Sequence, residues 1–494
     1  MVFLVLVFCV EIIFAKINNS FNQVSTGEMR VYFNKSVDIN YSRFQQTEKT
    51  NIFSKFVQRI NSAKYSIDLC FYSISESESF DAVADLLINA YQNGVKIRVI
   101  YEADNENTVF QQIKNAGIPI INDRFGNNNG QGLMHNKFVI IDHRDKTSAT
   151  DDWIWTGSYN LSYNGTFLNA ENVIEIQDQA LAECYTIEFN EMWGSETDTP
   201  NPSQSKFGNR KSDNSPHVFN INGIEVLQFM SPSDNVLKYI VGEIAKAQNS
   251  LYFCIFNFTH DQISDVMYQK WMTVDNFKIK GVFDDEQLSS SEYYKMNGTG
   301  SQAWNPPADV LLDKETALLH HKYLIIDGNG GPGQPVLITG SYNWSYSAEN
   351  NNDENILIIK DATIANLYFQ EFAARYHNAG GTDNLTYTSI EKMEDKFVPT
   401  TTYLYQNYPN PFNHQTIIEI SIAVSSEIAV EIFNIAGQRV QRFDLGFRLP
   451  GQYQISWDGY NELGDEVAGG IYLYRLNIQN SGKEFEMKKM IYLP

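Results

Sequence analysis

Short apolar runs and one amphipathic stretch alternate in the first part of the chain. Residues 66–74 (SIDLCFYSI) and 95–101 (VKIRVIY) are rich in β-branched and aromatic side chains, which predicts two strands. The apolar spacing between them predicts an amphipathic helix over about 80–93. FKIKGVF at 277–283 repeats the second strand pattern. Strand, helix and strand in series predict an α/β fold with a mixed sheet covered by helices.

Several segments of the chain occur twice, in the same order. AKYSIDLCFYSI matches AQNSLYFCIFNF, and TGSYN at 156–160 matches TGSYN at 339–343. The interval between the copies is far longer than the period of a solenoid repeat. We therefore predict a tandem pair of similar domains, each of which supplies one sheet.

Each copy contains the pattern H-x-K-x-x-x-x-D. The residues are His135, Lys137 and Asp142 in the first copy, and His320, Lys322 and Asp327 in the second. The runs MHNKFVIID and LHHKYLIID predict buried strands, in which alternation places the His and the Lys of each copy on one face. Both Asp have the opposite parity, which indicates that they brace the strand ends. His321 also points away, so we predict a structural or surface role for it.

These paired motifs resemble the two half-sites of the phospholipase D superfamily, over roughly residues 27–378. The resemblance implies two phospholipase D-like mixed-sheet repeats with pseudo-twofold symmetry, at 27–195 and 219–378. The polar segment 196–218 between them, rich in Pro and Gly, is predicted to be a solvated connection. A lid over the pocket is the alternative, because long loops often have a function.

Two imidazoles can divide the hydrolysis of a phosphodiester between them. One attacks phosphorus to give a phosphohistidine, while the other protonates the departing alcohol and then activates water. The resemblance implies that His135 attacks and that His320 is the acid. The remaining candidates are Lys137 and Lys322 to offset phosphate charge, Ser158, Asn160, Ser341 and Asn343 to donate hydrogen bonds to the phosphate, and Glu171 and Glu354 to orient the histidines.

Metal chemistry is the competing interpretation of the site. The sequence has no H-E-x-x-H and no C-x-x-C, which are ligand patterns typical of zinc, and it lacks the spacing of an EF-hand. We predict that the reaction uses neither a metal nor another cofactor. Cys70, Cys184 and Cys254 are predicted to be buried apolar residues and not to form a disulfide.

Charge is the best sequence evidence on the substrate. The chain has 59 acidic and 37 basic residues, a formal charge of −22, and no basic stripe that would bind a polyanion. A phospholipid headgroup ester, cleaved as by a phospholipase D, is therefore favoured. The alternatives are a metal-independent endonuclease acting on DNA or RNA, and a phosphate-binding surface protein without catalysis.

Contact with a membrane would require apolar side chains around the pocket. Four aromatic residues just after the two TGSYN segments could supply such a rim: Tyr163, Phe167, Trp344 and Tyr346. Packing in the core behind the strands is the equally weighted alternative, because aromatic side chains suit both settings.

The chain changes character after a linker at 379–402. Short alternating runs separated by Gly, Asn and Pro predict an all-β sandwich over 403–494. QNYPNPF at 406–412, WDG at 457–459 and GIYLYR at 470–475 resemble the C-terminal sorting domains of the bacterial type IX secretion system. That resemblance implies recognition by the export machinery, and an ordinary β-sandwich binding module is the alternative.

The first 15 residues, MVFLVLVFCVEIIFA, form an apolar stretch too short to span a bilayer unaided and end in a small residue. Residues 1–15 are therefore predicted to be a signal peptide, with a short hydrophobic anchor as the alternative. Together, the two ends of the chain predict a secreted or cell-surface bacterial protein, exported across the inner and outer membranes.

Overall fold

The computed structural model describes residues 25–75, 81–130, 132–145, 147–385, 401–413, 416–424, 426–448, 451–462, 466–478 and 487–493. The chain forms two compact units, which divide between Leu385 and Thr386. The predicted N-terminal signal peptide lies outside the described residues, as does most of the predicted linker.

The first unit contains two large mixed sheets, one from each repeat. The first sheet has the strand order β1-β7-β6-β5-β2-β3-β4. Its strands are β1 (Met29–Phe33), β2 (Ser66–Phe71), β3 (Lys96–Tyr101), β4 (Ile120–Asn122), β5 (Lys137–Ile141), β6 (Trp153–Gly157) and β7 (Asn172–Gln177). β2, β3 and β4 are parallel neighbours, and the remaining pairs are antiparallel.

The second sheet repeats this order and adds one strand, giving β12-β11-β10-β13-β14-β15-β9-β8. Its strands are β8 (Val218–Ile221), β9 (Ile224–Ser231), β10 (Ser250–Ile255), β11 (Lys278–Phe283), β12 (Asp309–Leu312), β13 (Lys322–Ile326), β14 (Val336–Gly340) and β15 (Glu354–Ile359). The same register recurs, since Cys70 lies opposite Phe138 and Cys254 lies opposite Tyr323. The predicted fold class, two equivalent mixed sheets, is thus confirmed.

Helices connect and cover the strands. They are α1 (Ile52–Ser62), α2 (Asp81–Gln92), α3 (Thr108–Asn115), α4 (Gln179–Trp193), α5 (Val236–Lys246), α6 (Asp261–Thr273), α7 (Tyr293–Met296), α8 (Tyr346–Asn350) and α9 (Ala362–Asn378). Asp178 and Asp361 cap the equivalent helices α4 and α9 by accepting a backbone N–H in the first turn. Both helices contribute to one hydrophobic core shared by the two repeats.

The structure of the first unit can be compared with three predictions made from the sequence. The predicted strands and helix agree with β2, β3, β11 and α2 to within a few residues. Cys70, Cys184 and Cys254 are buried and free, as predicted. The connection at 196–218 is not simply a solvated loop, because Phe207 and Lys211 are buried. The Lys211 ammonium lies 3.0 Å from Asp353 Oδ1 and donates to the Ser231 carbonyl at 2.9 Å, which anchors the connection to the second repeat.

The second unit is all β. One sheet has the order β16-β17-β20 and the other β19-β18-β21-β22. The strands are β16 (Tyr403–Leu404), β17 (Thr416–Ile422), β18 (Ser426–Asn434), β19 (Arg439–Arg448), β20 (Gly451–Trp457), β21 (Gly470–Ile478) and β22 (Lys488–Tyr492). Alternate residues of both sheets form one core that includes the fully buried Trp457. Among all described residues, no helix is long and apolar enough to cross a membrane.

Candidate active site

A cavity of about 580 Å³ lies between the two repeats and is lined by both motif histidines. His135 and His320 come directly before β5 and β13, the equivalent strands of the two sheets. Asn160 and Asn343 from the two TGSYN segments also line it. The structure therefore brings the paired half-sites together in one pocket.

Backbone pairing across the repeats holds the two histidines in place. The His135 N–H donates to the Asp353 carbonyl at 3.0 Å, and the His320 N–H donates to the Ala170 carbonyl at 3.0 Å. Each histidine is thus paired with the residue that precedes the glutamate of the other repeat. This reciprocal arrangement has the pseudo-twofold symmetry that the sequence predicts.

Each imidazole faces a glutamate from the opposite repeat. His135 Nδ1 donates to Glu354 Oε2 at 2.7 Å. His320 Nδ1 lies 2.9 Å from Glu171 Oε1, but the pair lacks hydrogen-bond alignment. The second oxygen of Glu171 instead accepts a 2.5 Å hydrogen bond from Ser158 Oγ. The two half-sites are therefore similar in composition and different in detail.

An aromatic ring packs edge-on against each histidine. The Tyr72 ring centroid is 4.7 Å from that of His135, and the Phe256 centroid is 4.9 Å from that of His320. These rings restrict rotation of the imidazoles, because aromatic pairs favour tilted contacts at such distances. Sequence reasoning missed both residues, although they occupy equivalent positions in the repeated CFY and CIF segments.

Lys137 and Lys322 lie just beneath the histidines and are almost fully buried. Each ammonium donates to the carbonyl of the histidine two residues earlier, at 2.8 and 2.7 Å respectively. Each also lies within 5.0 Å of the centroid of the neighbouring aromatic ring, Tyr72 or Phe256. Two cations are therefore kept close to the pocket in a protein of strongly negative net charge.

Burial is the largest cause of the pKa shifts of the ionisable side chains in the site. It lowers the pKa of His135 to about 4, with Glu354 opposing the shift and Lys137 reinforcing it. Burial and the two lysines lower the pKa of His320 well below its ordinary value. Burial likewise lowers the pKa of Lys137 to about 7 and that of Lys322 to about 8. It raises the pKa of Glu171 to about 8.

The predicted phosphate ligands separate into two groups. Asn160 and Asn343 line the cavity, and the Oδ1 of each is buried without a hydrogen-bond partner. Ser158 and Ser341 are fully buried below it, where each hydroxyl accepts the backbone N–H of the residue after a glutamate, at 3.1 Å. The placement of the serines differs from the prediction, since they support the glutamate segments and do not line the cavity.

Glycine is required immediately before each of these serines. A Cβ at Gly157 would lie 2.3 Å from the Asn172 carbonyl oxygen, and one at Gly340 would lie 2.1 Å from that of Asn355. Close approach of two backbones therefore explains the Gly-Ser pair, and it brings each serine within reach of the glutamate segment.

Asp142 and Asp327 brace the strand ends, as their parity indicates. Asp142 accepts the backbone N–H groups of Lys64, Tyr65 and Ser66. Asp327 accepts the equivalent three from Gln248, Asn249 and Ser250. Neither aspartate lines the cavity.

Two asparagines that sequence reasoning missed tie the repeats together. Asn355 Oδ1 accepts from Thr156 at 2.8 Å, and Asn172 Oδ1 accepts from Thr339 at 3.1 Å. Asn172 also hydrogen-bonds the buried His321, whose other ring nitrogen lies 3.1 Å from Glu371. His321 is thus a structural residue. The repeated Glu-Asn dipeptide was the signal for both asparagines.

The four candidate rim aromatics do not share one environment. Tyr163 and Phe167 are 47% and 51% exposed and contact each other, with ring centroids 5.1 Å apart. Tyr346 is 68% exposed and lines the cavity mouth. Trp344 is only 2% exposed and packs against Phe258, so for this residue the core, and not the rim, is the correct alternative.

The donor groups of the site do not suggest a metal centre. Throughout the described part of the chain, no three His, Cys, Asp or Glu side chains are arranged to hold a metal ion. The cavity is instead lined by two imidazoles and several amides, with two ammonium groups buried just beneath the histidines, and these groups suit a phosphate anion.

Two equivalent α/β sheets with reciprocal His, Lys and Glu half-sites define a duplicated phosphodiesterase-type protein. The family model described as "Cardiolipin synthase, PLD-like domain" matches residues 56–193 and 240–376, together more than half of the chain. The chain therefore belongs to the phospholipase D superfamily.

Curated relatives agree with this family. A phospholipase D of Rickettsia prowazekii is 31% identical over 163 residues, which cover 30% of this chain and 71% of the relative. The mitochondrial cardiolipin hydrolase of Mus musculus is 29% identical over 143 residues, covering 28% of this chain and 58% of the relative. The similarity thus spans little more than half of the mouse protein.

The chain is also similar to a solved structure and to a second family model. The crystal structure of phosphatidylserine synthase from Haemophilus influenzae is 12% identical, with a TM-score of 0.48, and covers 70% of this chain and 86% of that chain. The second unit is similar to the FlgD Ig-like domain over residues 412–482.

Proposed function

We propose that this protein is a secreted phospholipase D that hydrolyses the headgroup ester of phospholipids through a phosphohistidine. The observation that carries the proposal is the pair of imidazoles in one cavity, each with Nδ1 facing a glutamate of the opposite repeat. In each ring Nε2 is then the nitrogen left to react. One can attack phosphorus while the other handles the leaving group.

His135 is the better nucleophile of the two. Its Nδ1 hydrogen bond to Glu354 fixes the tautomer that leaves a lone pair on Nε2, and the carboxylate stabilises the charge that develops on the ring. Nε2 forms a bond to phosphorus as the bond to the headgroup oxygen breaks, and His320 Nε2 gives its proton to that oxygen. His320 then takes a proton from water, whose oxygen displaces His135 and releases the phosphatidic acid.

The lysines and asparagines act on the phosphate. A bound diester is an anion, so its arrival raises the pKa of the two lysines and of His320, which reverses the effect of burial. Protonated His320 is then available as the acid. Asn160 and Asn343 are placed to donate to the non-bridging oxygens as their charge grows.

A lipid substrate fits the surface better than a nucleic acid. The described residues that line the cavity include no Lys and no Arg. A protein that binds a nucleic acid needs such residues to contact the phosphates on either side of the one that reacts. The exposed Tyr163 and Phe167 also suit contact with a lipid surface. The named activities of the Rickettsia and mouse relatives support the same class of substrate.

Export from the cell forms part of the proposal. Support comes from the apolar residues 1–15 and from the resemblance of 403–494 to type IX sorting domains, for which the type IX machinery would be the partner. Immunoblotting of the medium, the cell surface and the cell lysate of a bacterial host with that pathway tests this part. Retention of the whole protein in the cytoplasm would contradict it.

The activity is tested with the purified chain in EDTA. We expect it to release phosphatidic acid from mixed phospholipid vesicles, and we expect no release from the His135→Ala variant. Nicking of plasmid DNA by the wild-type protein without phosphatidic acid release would identify a nuclease. Inactivity on both substrates and on bis(p-nitrophenyl) phosphate would leave only phosphate binding and would overturn the proposal.

A further inference from the structure

The cavity is less symmetric than the two half-sites that line it. Five pairs of equivalent residues line both sides of it, among them His135 with His320 and Asn160 with Asn343. The other lining residues all belong to the second repeat, and they include Asn257, Thr259, Ser345 and Ser347. The cavity therefore extends away from the two histidines only into the second repeat.

We propose that Asn257, with the hydroxyls of Thr259, Ser345 and Ser347, forms the subsite for the leaving alcohol and selects an uncharged, hydroxylated headgroup such as glycerol. This inference rests on the proposed function and on the assignment of His320 as the acid. It adds a specificity-determining residue, Asn257, that is absent from the two motifs.

In-line displacement places the leaving oxygen on the side of phosphorus opposite the attacking His135. His320, which protonates that oxygen, belongs to the second repeat. The alcohol attached to the oxygen must then occupy the part of the cavity beyond His320. Asn257 lies there, next to Phe256, whose ring packs on His320.

The chemistry of this extension suits hydroxyl groups. Asn257 Oδ1 is buried and has no hydrogen-bond partner, which is unfavourable until a donor reaches it. The Asn257 backbone is held in place, because its carbonyl accepts the Trp344 N–H at 3.0 Å. A headgroup hydroxyl can donate to Oδ1, and the neighbouring hydroxyls can both donate and accept.

A cationic headgroup finds little to pair with in the same space. No Asp or Glu is among the described residues that line the cavity. The Tyr72 and Phe256 rings already contact the Lys137 and Lys322 ammonium groups, and the third lining aromatic, Tyr346, is 68% exposed at the cavity mouth. A choline or ethanolamine headgroup would lose hydration in the extension without gaining an anionic partner.

The test compares dihexanoyl phosphatidylglycerol with dihexanoyl phosphatidylcholine, both below their critical micelle concentrations so that no lipid surface contributes. We expect the wild-type protein to show a kcat/KM about tenfold or more higher for the glycerol headgroup, as the gain from hydrogen-bonding a hydroxyl suggests. Asn257→Leu should lose that preference. Asn257→Asp should shift it towards dihexanoyl phosphatidylethanolamine, because the new carboxylate can pair with the ammonium.

Ser73→Ala is the matched control, since Ser73 is the counterpart of Asn257 in the first repeat and does not line the cavity. Its headgroup preference should be that of the wild type. Equal rates for both headgroups, or a preference for choline, in an otherwise active wild-type protein would overturn the subsite and leave the phospholipase D activity standing. Failure to hydrolyse any phospholipid would instead overturn the proposed function.

Discussion

His135 in the first repeat donates a 2.7 Å hydrogen bond to Glu354, which lies 219 positions further along the chain in the second repeat. Glu171 of the first repeat faces His320 of the second at 2.9 Å, although this pair lacks the alignment of a hydrogen bond. Neither repeat therefore contains a complete half-site of its own. Each repeat supplies the carboxylate that faces the imidazole of the other.

Loss of either histidine should abolish turnover. We expect His135→Ala and His320→Ala each to lower kcat on the order of 10⁴-fold or more, and the double variant to lose little further, because groups that act as a unit are not additive. With a ³²P-labelled diester, acid-quenched His320→Ala protein should retain label and His135→Ala should not. Label on the His135→Ala protein alone would reverse the assigned order.

The two glutamates should affect different steps. Glu354→Gln removes the charge that stabilises His135, so phosphoenzyme formation should slow by about 10²-fold or more. Glu171→Gln weakens the support of His320, so breakdown of the phosphoenzyme should slow as well and the labelled intermediate should accumulate. Rapid-quench measurement of both phases separates the two effects, and unchanged melting temperatures would exclude a general loss of structure. Accumulation in Glu354→Gln alone would contradict this division.

Anion binding should weaken as the pH rises through about 7 to 8. Burial lowers the pKa of Lys137 to about 7 and that of Lys322 to about 8, so above these values the empty site loses its positive charge. Sulfate stays a dianion throughout this range, and its binding must restore the lost protons, so its affinity should fall with pH. Calorimetric titration in buffers of different ionisation enthalpy measures the proton uptake.

Lys137→Met is the informative comparison for that experiment. It removes the group that titrates first, so fewer protons should be taken up per sulfate near pH 7. An affinity that is constant between pH 6.5 and 8.5 in the wild-type protein would show that the lysines remain charged in the empty site.

The exposed aromatic pair should matter only at a lipid surface. We expect the double variant Tyr163→Ser with Phe167→Ser to hydrolyse vesicles about tenfold more slowly, since it loses apolar contact with the bilayer. Hydrolysis of the soluble dihexanoyl lipids should be unchanged, because neither residue lines the cavity. Tyr163→Phe with Phe167→Leu keeps the apolar surface and serves as the control. An equal loss on both substrates would refute an interfacial role.

The first unit should work without the second. Because the two compact units divide between Leu385 and Thr386, a chain that ends at Leu385 should stay folded and retain the full kcat/KM on soluble lipids. Thermal unfolding and the same assay check this. In a host with the type IX pathway the shortened protein should remain inside the cell. Loss of activity in the soluble, folded fragment would make the sandwich part of the catalytic unit.

Sequence patterns predicted most of the fold and the two histidines that meet in one cavity. Alternating and β-branched runs gave the strands around Cys70 and Cys254, and parity correctly separated His135 from Asp142 in the first motif. These predictions succeed because side-chain direction follows from local backbone geometry. The duplication indicated the remaining site candidates, because it showed which residues recur at equivalent positions in the two repeats.

Features that depend on packing between the repeats could not be predicted in the same way. The sequence left Trp344 open between the rim and the core, and it is buried because it forms a β-bridge with Phe258 and packs against that ring. The assignment of each glutamate to the opposite repeat depends on the backbone pairing of residues 133–135 with Asp353 and of residues 318–320 with Ala170. These contacts join residues that are far apart in the sequence, so no local pattern indicates them. The place of Asn257 in the one-sided extension of the cavity can be recognised only by comparing the two repeats in the folded structure.

Because His135 contacts a glutamate of the other repeat, its partner is synthesised much later than the histidine itself. A ribosome adds residues at about 5 to 20 per second, so roughly 10 to 45 s separate the synthesis of His135 from that of Glu354. Throughout that interval the nascent chain contains His135 without the carboxylate that contacts its Nδ1 in the folded protein. The phospholipid hydrolysis that we propose therefore cannot begin before translation has passed Glu354, in the last third of the chain.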